Sequence, residues 1–437
     1  MRGPRQIMRL ALPALGVLAA EPLYVLVDTA VVGHLGAVSL AALAVGGTVL
    51  AQAVSALTFF SYGTTARTAR LHGAGRRVDA VAEGVQSTWL AALGGLLLLI
   101  AGLALAGPIA RLLAGPGDVS AAAVGWLRIA LLGTPFILIT MAGNGWMRGV
   151  QDTARPLRYV LAGNGISAVL CPLLVYGTDF GLAGSAIANV AAQVISASLF
   201  LRALAAERAP VRPQPAVMRA QLAVGRDLIL RSLAFQVSHI SATAVAAHTS
   251  AAAAGAHQIV LQLWMFVALV LDCLAIAAQS LIGAALGAGD ARGARELAWR
   301  ITGYGTVLGV VFSGVFAALA GVLPGVFTSD GSVLAEVPHA WWFFVVMQIM
   351  AGTLFALDGI FLGAGDAGFM RNATIISAVL GYLPLTWAAL AFSWGLSGIW
   401  AGLTLFVLIR LVLAAGRLRS GRWAVTGAVL ARDRAHA

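Results

Sequence analysis

Lysine is absent from this 437-residue chain, cysteine occurs twice, and all charged residues together make up 10% of it. Each scarcity excludes something. With 60% hydrophobic residues and a mean hydropathy of +0.91, so few charges leave too little polar surface to cover a soluble body. No long polar stretch remains that would form a soluble domain beside the apolar runs. The two cysteines, Cys171 and Cys273, sit in apolar segments without metal-ligand spacing, which argues against a disulfide framework or a zinc site. No HExxH, paired metal motif or Ser/His/Asp set occurs, so an enzyme embedded in the membrane is not expected. The Gly-rich GAGD stretches are followed by no lysine and preceded by no strand, so they read as helix stops and N-caps rather than phosphate cradles.

What is present is a series of apolar runs, each about 20 residues or more, along the whole length. Twelve spans are expected, near residues 7–36, 38–66, 84–107, 119–148, 157–177, 181–204, 221–250, 252–286, 298–324, 333–363, 371–392 and 395–417. The start, MRGPRQIMRLALPALGVLAA, has the outline of a signal peptide, but eleven further spans follow and it is read as a retained first helix. The net charge of +11 is carried by arginine. Arginines cluster in the loops after spans 2, 4, 6, 8 and 10 and at both ends, as with Arg67, Arg70, Arg76 and Arg77, or Arg292, Arg295 and Arg300. The positive-inside rule then places both termini in the cytoplasm of a multi-pass protein of the cell (inner or plasma) membrane. The charge is topology rather than a nucleic-acid footprint, with weak attraction to anionic lipid headgroups.

The two halves repeat at one constant offset, that from Val27 to Ser241. VDTAVVGHLG matches SATAVAAHTS, HGAGRR matches LGAGDA, GWMRGVQD matches GIFLGAGD, and GLAG at Gly181 matches GLSG at Gly395. Six spans per repeat is an even number, so the halves have parallel topology. The organisation expected is an N-terminal lobe over 1–204, a Pro- and Arg-containing cytoplasmic linker over 205–220, a C-terminal lobe over 221–417 and a basic cytoplasmic tail over 418–437. Such a duplication, with ionisable groups inside spans, describes a secondary transporter.

Span 1 holds two carboxylates, Glu21 and Asp28, and two prolines, Pro13 and Pro22. An acid at mid-bilayer costs about 2.5–3.5 kcal/mol on insertion scales, which makes it rare without a task. Glu21 and Asp28 stand about 10.5 Å apart along one helix face, with Tyr24 between them. Asp28 is read first as functional, against the plain alternative of a carboxylate tied to Tyr24 or a neighbouring helix. Glu21, beside Pro22, has the alternative of bonding to freed backbone. The other acids at membrane depth are Asp272, read mainly as a structural anchor, and Asp358, the repeat partner of Asn144. Asn164, Ser167 and Cys171 share one face of span 5, and Asn144 on span 4 is placed to join them. His34 and His248 are repeat partners read as interfacial packing residues.

The duplicated six-helix design, VDTAVVGHLG in span 1 and RGVQDTARP after span 4 resemble the multidrug and toxic compound extrusion (MATE) family, in its DinF-like branch, over the whole chain. The resemblance implies an all-α fold of two pseudo-symmetric six-helix lobes in a V, and a cation-coupled antiporter that expels amphipathic, often cationic compounds without a cofactor. The span 1 aspartate that relatives protonate falls on Asp28, the proline about which that helix bends on Pro13, and the span 4 asparagine on Asn144. Relatives commonly carry Asn and Asp where Ser167 and Cys171 stand. In the NorM-like branch a C-lobe site pairs a glutamate, here Ala242, with an aspartate, here Asp358.

These departures favour protons over sodium. A hard cation wants several oxygen ligands and a thiol is soft, whereas a proton needs one suitable buried carboxylate. The expectation is a monomeric exporter of small amphipathic or cationic molecules, driven by protons through Asp28, with Pro13 or Pro22 as the bend. Alternatives are sodium coupling, or a flippase of lipid-linked oligosaccharides. The flippase would need arginine inside the membrane, and nearly all arginine is assigned to loops.

Overall fold

A computed structural model describes residues 4–178 and 180–428; the last residues of the expected tail, 429–437, lie outside the described residues. Among the described residues, twelve helical spans are long and apolar enough to cross a membrane: Arg5–Gly33, Ala37–Gly73, Arg77–Ala114, Asp118–Gly149, Ala154–Tyr176, Leu182–Ala206, Pro215–Thr249, Ala251–Gly287, Ala291–Ala318, Gly331–Ala364, Ala367–Ala391 and Gly395–Ser420. They are spans 1 to 12 below. The chain packs as two compact units, one over Leu12–Gly225 and the other from Arg226 onward together with the first turns of span 1.

Several spans run past the apolar stretch that marks them in the sequence, and the reason is visible in the first unit. Span 2 was expected to end near residue 66 but continues to Gly73 after a turn at 56–58. Its polar continuation hides its hydroxyls. Thr64 donates to the Phe60 carbonyl at 2.7 Å and Thr65 to Ser61 at 2.9 Å, while Arg67 pairs with Glu83 at 2.7 Å. Hydropathy falls there, but Thr64, Thr65 and Arg67 each find an acceptor or a counter-ion, so the helix goes on. Proline marks the irregular turns. A 3-10 turn at Leu131–Gly133 precedes Pro135, and a π turn at Ala378–Tyr382 precedes Pro384, where the missing N–H breaks the regular ladder.

The repeat seen in the sequence is also a repeat of packing. A Cβ on Gly145 would lie 2.4 Å from the Ser61 carbonyl oxygen, and one on Gly359 would lie 2.3 Å from that of Ala275. These are partners at the same offset on both sides of the crossing. Only glycine lets the backbones approach so closely, the small-residue packing that membrane helices use. The helix stop expected at the GAGD stretch over 287–290 recurs at its repeat partner, GAGR over 73–76. Gly75 and Gly289 have φ of 74° and 81°, and the amides of Arg76 and Asp290 return to the carbonyls of Leu71 and Ala285. Asp290 then caps span 9 through the Gly293 amide at 2.7 Å.

The segment between spans 6 and 7 is strapped to its own half. Trp89 and Gln86 donate to the carbonyls of Val211 and Arg212 at 2.8 and 2.9 Å, and Gln86 accepts from the Gln214 amide at 2.7 Å. Gln221 donates to Glu83 at 2.7 Å. In the second unit, the chain after span 12 lies down in the same manner. Trp423 is buried against Phe361, ring centroids 6.5 Å apart, and the Gly427 amide donates to the Leu286 carbonyl at 2.9 Å.

Candidate functional site

The first unit encloses a cavity of about 690 Å³, lined from spans 1, 2, 4, 5 and 6. Span 1 presents its face in helical steps. Ala14, Val17, Ala20, Tyr24, Asp28 and Val32 are buried along one stripe, and Val17, Glu21, Tyr24 and Asp28 reach the cavity. The span passes Pro13 and Pro22 without interruption. Pro22 has no N–H to offer the carbonyl one turn earlier, at Leu18, another lining residue.

Asp28 is 5% exposed. The Cys171 thiol donates to its Oδ1 at 3.2 Å, and Ser185 stands within hydrogen-bonding reach of the same carboxylate. The Ser185 hydroxyl in turn accepts from the Trp126 indole at 3.2 Å. Asp28 is therefore held by two neutral donors, Cys171 and Ser185, with the Trp126 indole behind Ser185; sequence reasoning attached neither Ser185 nor Trp126 to it. Ser185 follows the repeated GLAG stretch, and only that proximity to a motif hinted at it.

The other expected residues divide. Asn144 and Asn164 line the cavity, each with an amide atom that is buried and without a hydrogen-bond partner. Ser167 and Cys171 are fully buried behind the wall. The Tyr24 hydroxyl and Ser167 Oγ lie close together, though neither completes a hydrogen bond. Glu21 is exposed into the cavity one face-length from Asp28. Not foreseen were Asn189, Gln193 and Ser196 from span 6, and Arg148, which is buried and donates to Ser61 Oγ at 3.2 Å. The cavity thus combines an apolar body, two carboxylates on one helix, the Arg148 guanidinium and a rim of amides. That lining suits a flexible amphipathic guest.

Asp272 and Asp358 are brought to different settings. Asp272 is half-buried on span 8 and has an interaction of its own. Asp358 Oδ2 accepts from Arg231 at 2.6 Å and from Arg410 at 2.7 Å. Both arginines belong to spans, 7 and 12, so the assignment of nearly all arginine to loops misses the two that matter most for this acid. No set of three or more His, Cys, Asp or Glu among the described residues is placed to hold a metal ion.

The MatE family model matches the sequence twice, over residues 13–173 and 228–387. The chain belongs to the MATE family. Protein DETOXIFICATION 44, chloroplastic, of Arabidopsis thaliana is 34% identical over 96% of this chain and 83% of its own length. DNA damage-inducible protein F of Escherichia coli (strain K12) is 30% identical over 96% and 94%, a similarity to the DinF branch. A solved MATE structure in a bent conformation superposes with a TM-score of 0.88 at 22% identity, over 97% of this chain and 96% of that one. This MATE protein is accordingly a multi-pass membrane transporter of the multidrug and toxin efflux class, of two six-span halves, and not an enzyme. Members of the family work without a cofactor and bind small-molecule substrates.

Proposed function

We propose that this MATE transporter exports amphipathic, commonly cationic compounds in exchange for protons, with Asp28 as the group that alternates between proton and substrate. The observation that carries the reading is the setting of Asp28: a buried carboxylate on the cavity wall, met by a thiol and a hydroxyl and, among the described residues, paired with no cationic side chain. Such a carboxylate is available to a proton or to a cationic guest in turn. Sodium is less well served, because a thiol is a soft ligand where a hard cation wants oxygen. In the cycle, ionised Asp28 accepts the guest. Protonation from outside removes the charge, span 1 bends near Pro13 or Pro22, and the cavity closes. Asn144, Asn164, Ser167 and Cys171 position this network, and Glu21 adds a second negative group at the guest's other end.

The driving force suffices. One proton moving down about 100 mV supplies about 2.3 kcal/mol, and one pH unit adds about 1.4 kcal/mol. The chain acts as a monomer with both termini in the cytoplasm, its arginine-rich loops against anionic headgroups.

The test is uptake of ethidium into proteoliposomes under separately imposed proton and sodium gradients. A proton gradient should drive transport in the wild type and not in Asp28→Asn inserted to the same level. Full transport by that variant, or transport driven by sodium alone, would overturn the reading.

A further inference from the structure

The C-terminal half contains a charged cluster that the export cycle leaves unused. Arg231 and Arg410 converge on a single oxygen of Asp358. One guanidinium would neutralise the carboxylate. The second leaves the three groups net positive inside membrane spans, where an uncompensated charge is expensive and rarely idle. The charged groups felt by Arg410 are Asp358 and Arg231. The cluster is reachable, since the side chains of Arg231 and Asp358 keep 18% and 13% exposure.

The surroundings supply an apolar wall and spare donors. Phe235 lies under both guanidiniums, 5.4 Å from Arg231 and 4.9 Å from Arg410, and Phe406 lies 5.5 Å from Arg410. The His239 and Tyr382 rings follow at 5.9 Å from each other. Arg231 Nε, His239 Nε2 and the hydroxyl of the fully buried Tyr382 have no hydrogen-bond partner, an unusual concentration for a native interior. Tyr382 closes the π turn at Ala378–Tyr382, an irregularity that recurs at functional sites.

Position supports the same conclusion. At the constant offset of the two halves, Arg231, Phe235, His239, Asp358 and Arg410 are the partners of Val17, Glu21, Val25, Asn144 and Ser196. All five of those partners line the cavity of the N-terminal half. The cluster therefore occupies the repeat-equivalent of a ligand-binding wall, with the charge reversed.

We propose that Arg231 and Arg410, flanked by Phe235, Phe406 and Tyr382, form a second ligand site in the C-terminal half that takes a carboxylate borne on an apolar body. Asp358 is the internal carboxylate that holds the two guanidiniums when the site is empty, and an incoming carboxylate competes with it for them. The site stands independently of the N-terminal cavity and of the ion that drives export.

The test is equilibrium dialysis of the detergent-purified full-length protein against 2-naphthoate, its neutral analogue 2-naphthalenemethanol, inorganic phosphate and inorganic pyrophosphate. Saturable binding of 2-naphthoate alone is expected. Arg410→Gln should weaken it at least about tenfold, by removing half of the charged fork. Asp358→Asn, which keeps both arginines and nearly the same shape, should strengthen it severalfold by removing the internal competitor. Arg295→Gln, at an arginine outside the cluster, should leave it unchanged. The gain in Asp358→Asn keeps the test decisive even if Arg410→Gln does not fold. Equal binding of the alcohol, no saturable binding by wild type or Asp358→Asn, or no response to Asp358→Asn would overturn the proposal. Binding of phosphate or pyrophosphate in place of 2-naphthoate, lost in Arg410→Gln, would overturn the carboxylate assignment in favour of a phosphate-bearing ligand.

Discussion

Two carboxylates at membrane depth, Asp28 and Asp358, sit in the two halves of one duplicated fold in opposite electrostatic company. Asp28 is held by the Cys171 thiol and has the Ser185 hydroxyl in reach; Asp358 is held by two arginines. Neither acid has an acidic partner in the other half, where Ala242 and Asn144 stand instead. The backbone crossings have been kept, as Gly145 over Ser61 and Gly359 over Ala275 show, while the charges between them have been exchanged. A duplicated membrane fold preserves its packing and varies its electrostatics, because packing determines whether the half assembles and a few side chains determine what it attracts.

The contrast can be broken at either end. The largest effect is expected at Asp28, where Asn removes the carboxylate that Cys171 and Ser185 surround and proton-driven export in proteoliposomes should fall to background. Next is Arg410→Gln, which leaves Asp358 with one of its two partners. Unfolding in detergent should show a loss of about 3 kcal/mol, the lower end of the cost of breaking a buried pair because Arg231 remains. The shared part of the comparison is tested by Gly145→Ala and Gly359→Ala. Each puts a methyl group against a carbonyl, and each should cost about 1–3 kcal/mol in the same unfolding measurement. Similar losses are expected, and a cost in one half alone would break the equivalence of the crossings. The smallest effect is expected for Ser185→Ala, which removes one donor from Asp28 and leaves the Trp126 indole unpartnered. A hydrogen bond worth about 1 kcal/mol predicts a fewfold change in transport rate with folding intact.

The sequence makes Asp28 conspicuous because a carboxylate in an apolar run has few structural excuses. The twelve spans and the repeat are legible for a similar reason, since both are periodic properties of the chain. Arg231 and Arg410 are not legible in that way. Both fall inside the expected spans 221–250 and 395–417, yet in a chain whose arginines mostly mark loops they are absorbed into the topological reading. Only the convergence of two distant helices on Asp358 separates the two roles. Ser185 is missed because small hydroxyl residues pack membrane helices everywhere. The continuation of span 2 to Gly73 is missed because Thr64 and Thr65 bond back to their own helix, so polar side chains lower the hydropathy without ending the helix.

The two straps carry a historical consequence. Trp423 packs on Phe361, and at the same offset Ala209 packs in the cluster of Met147. The segment that joins the halves and the segment that follows the last span thus bring residues at the same offset against corresponding positions, Phe361 and the cluster of Met147. The duplication of the chain therefore reaches past the six spans of each half into the segment that follows them.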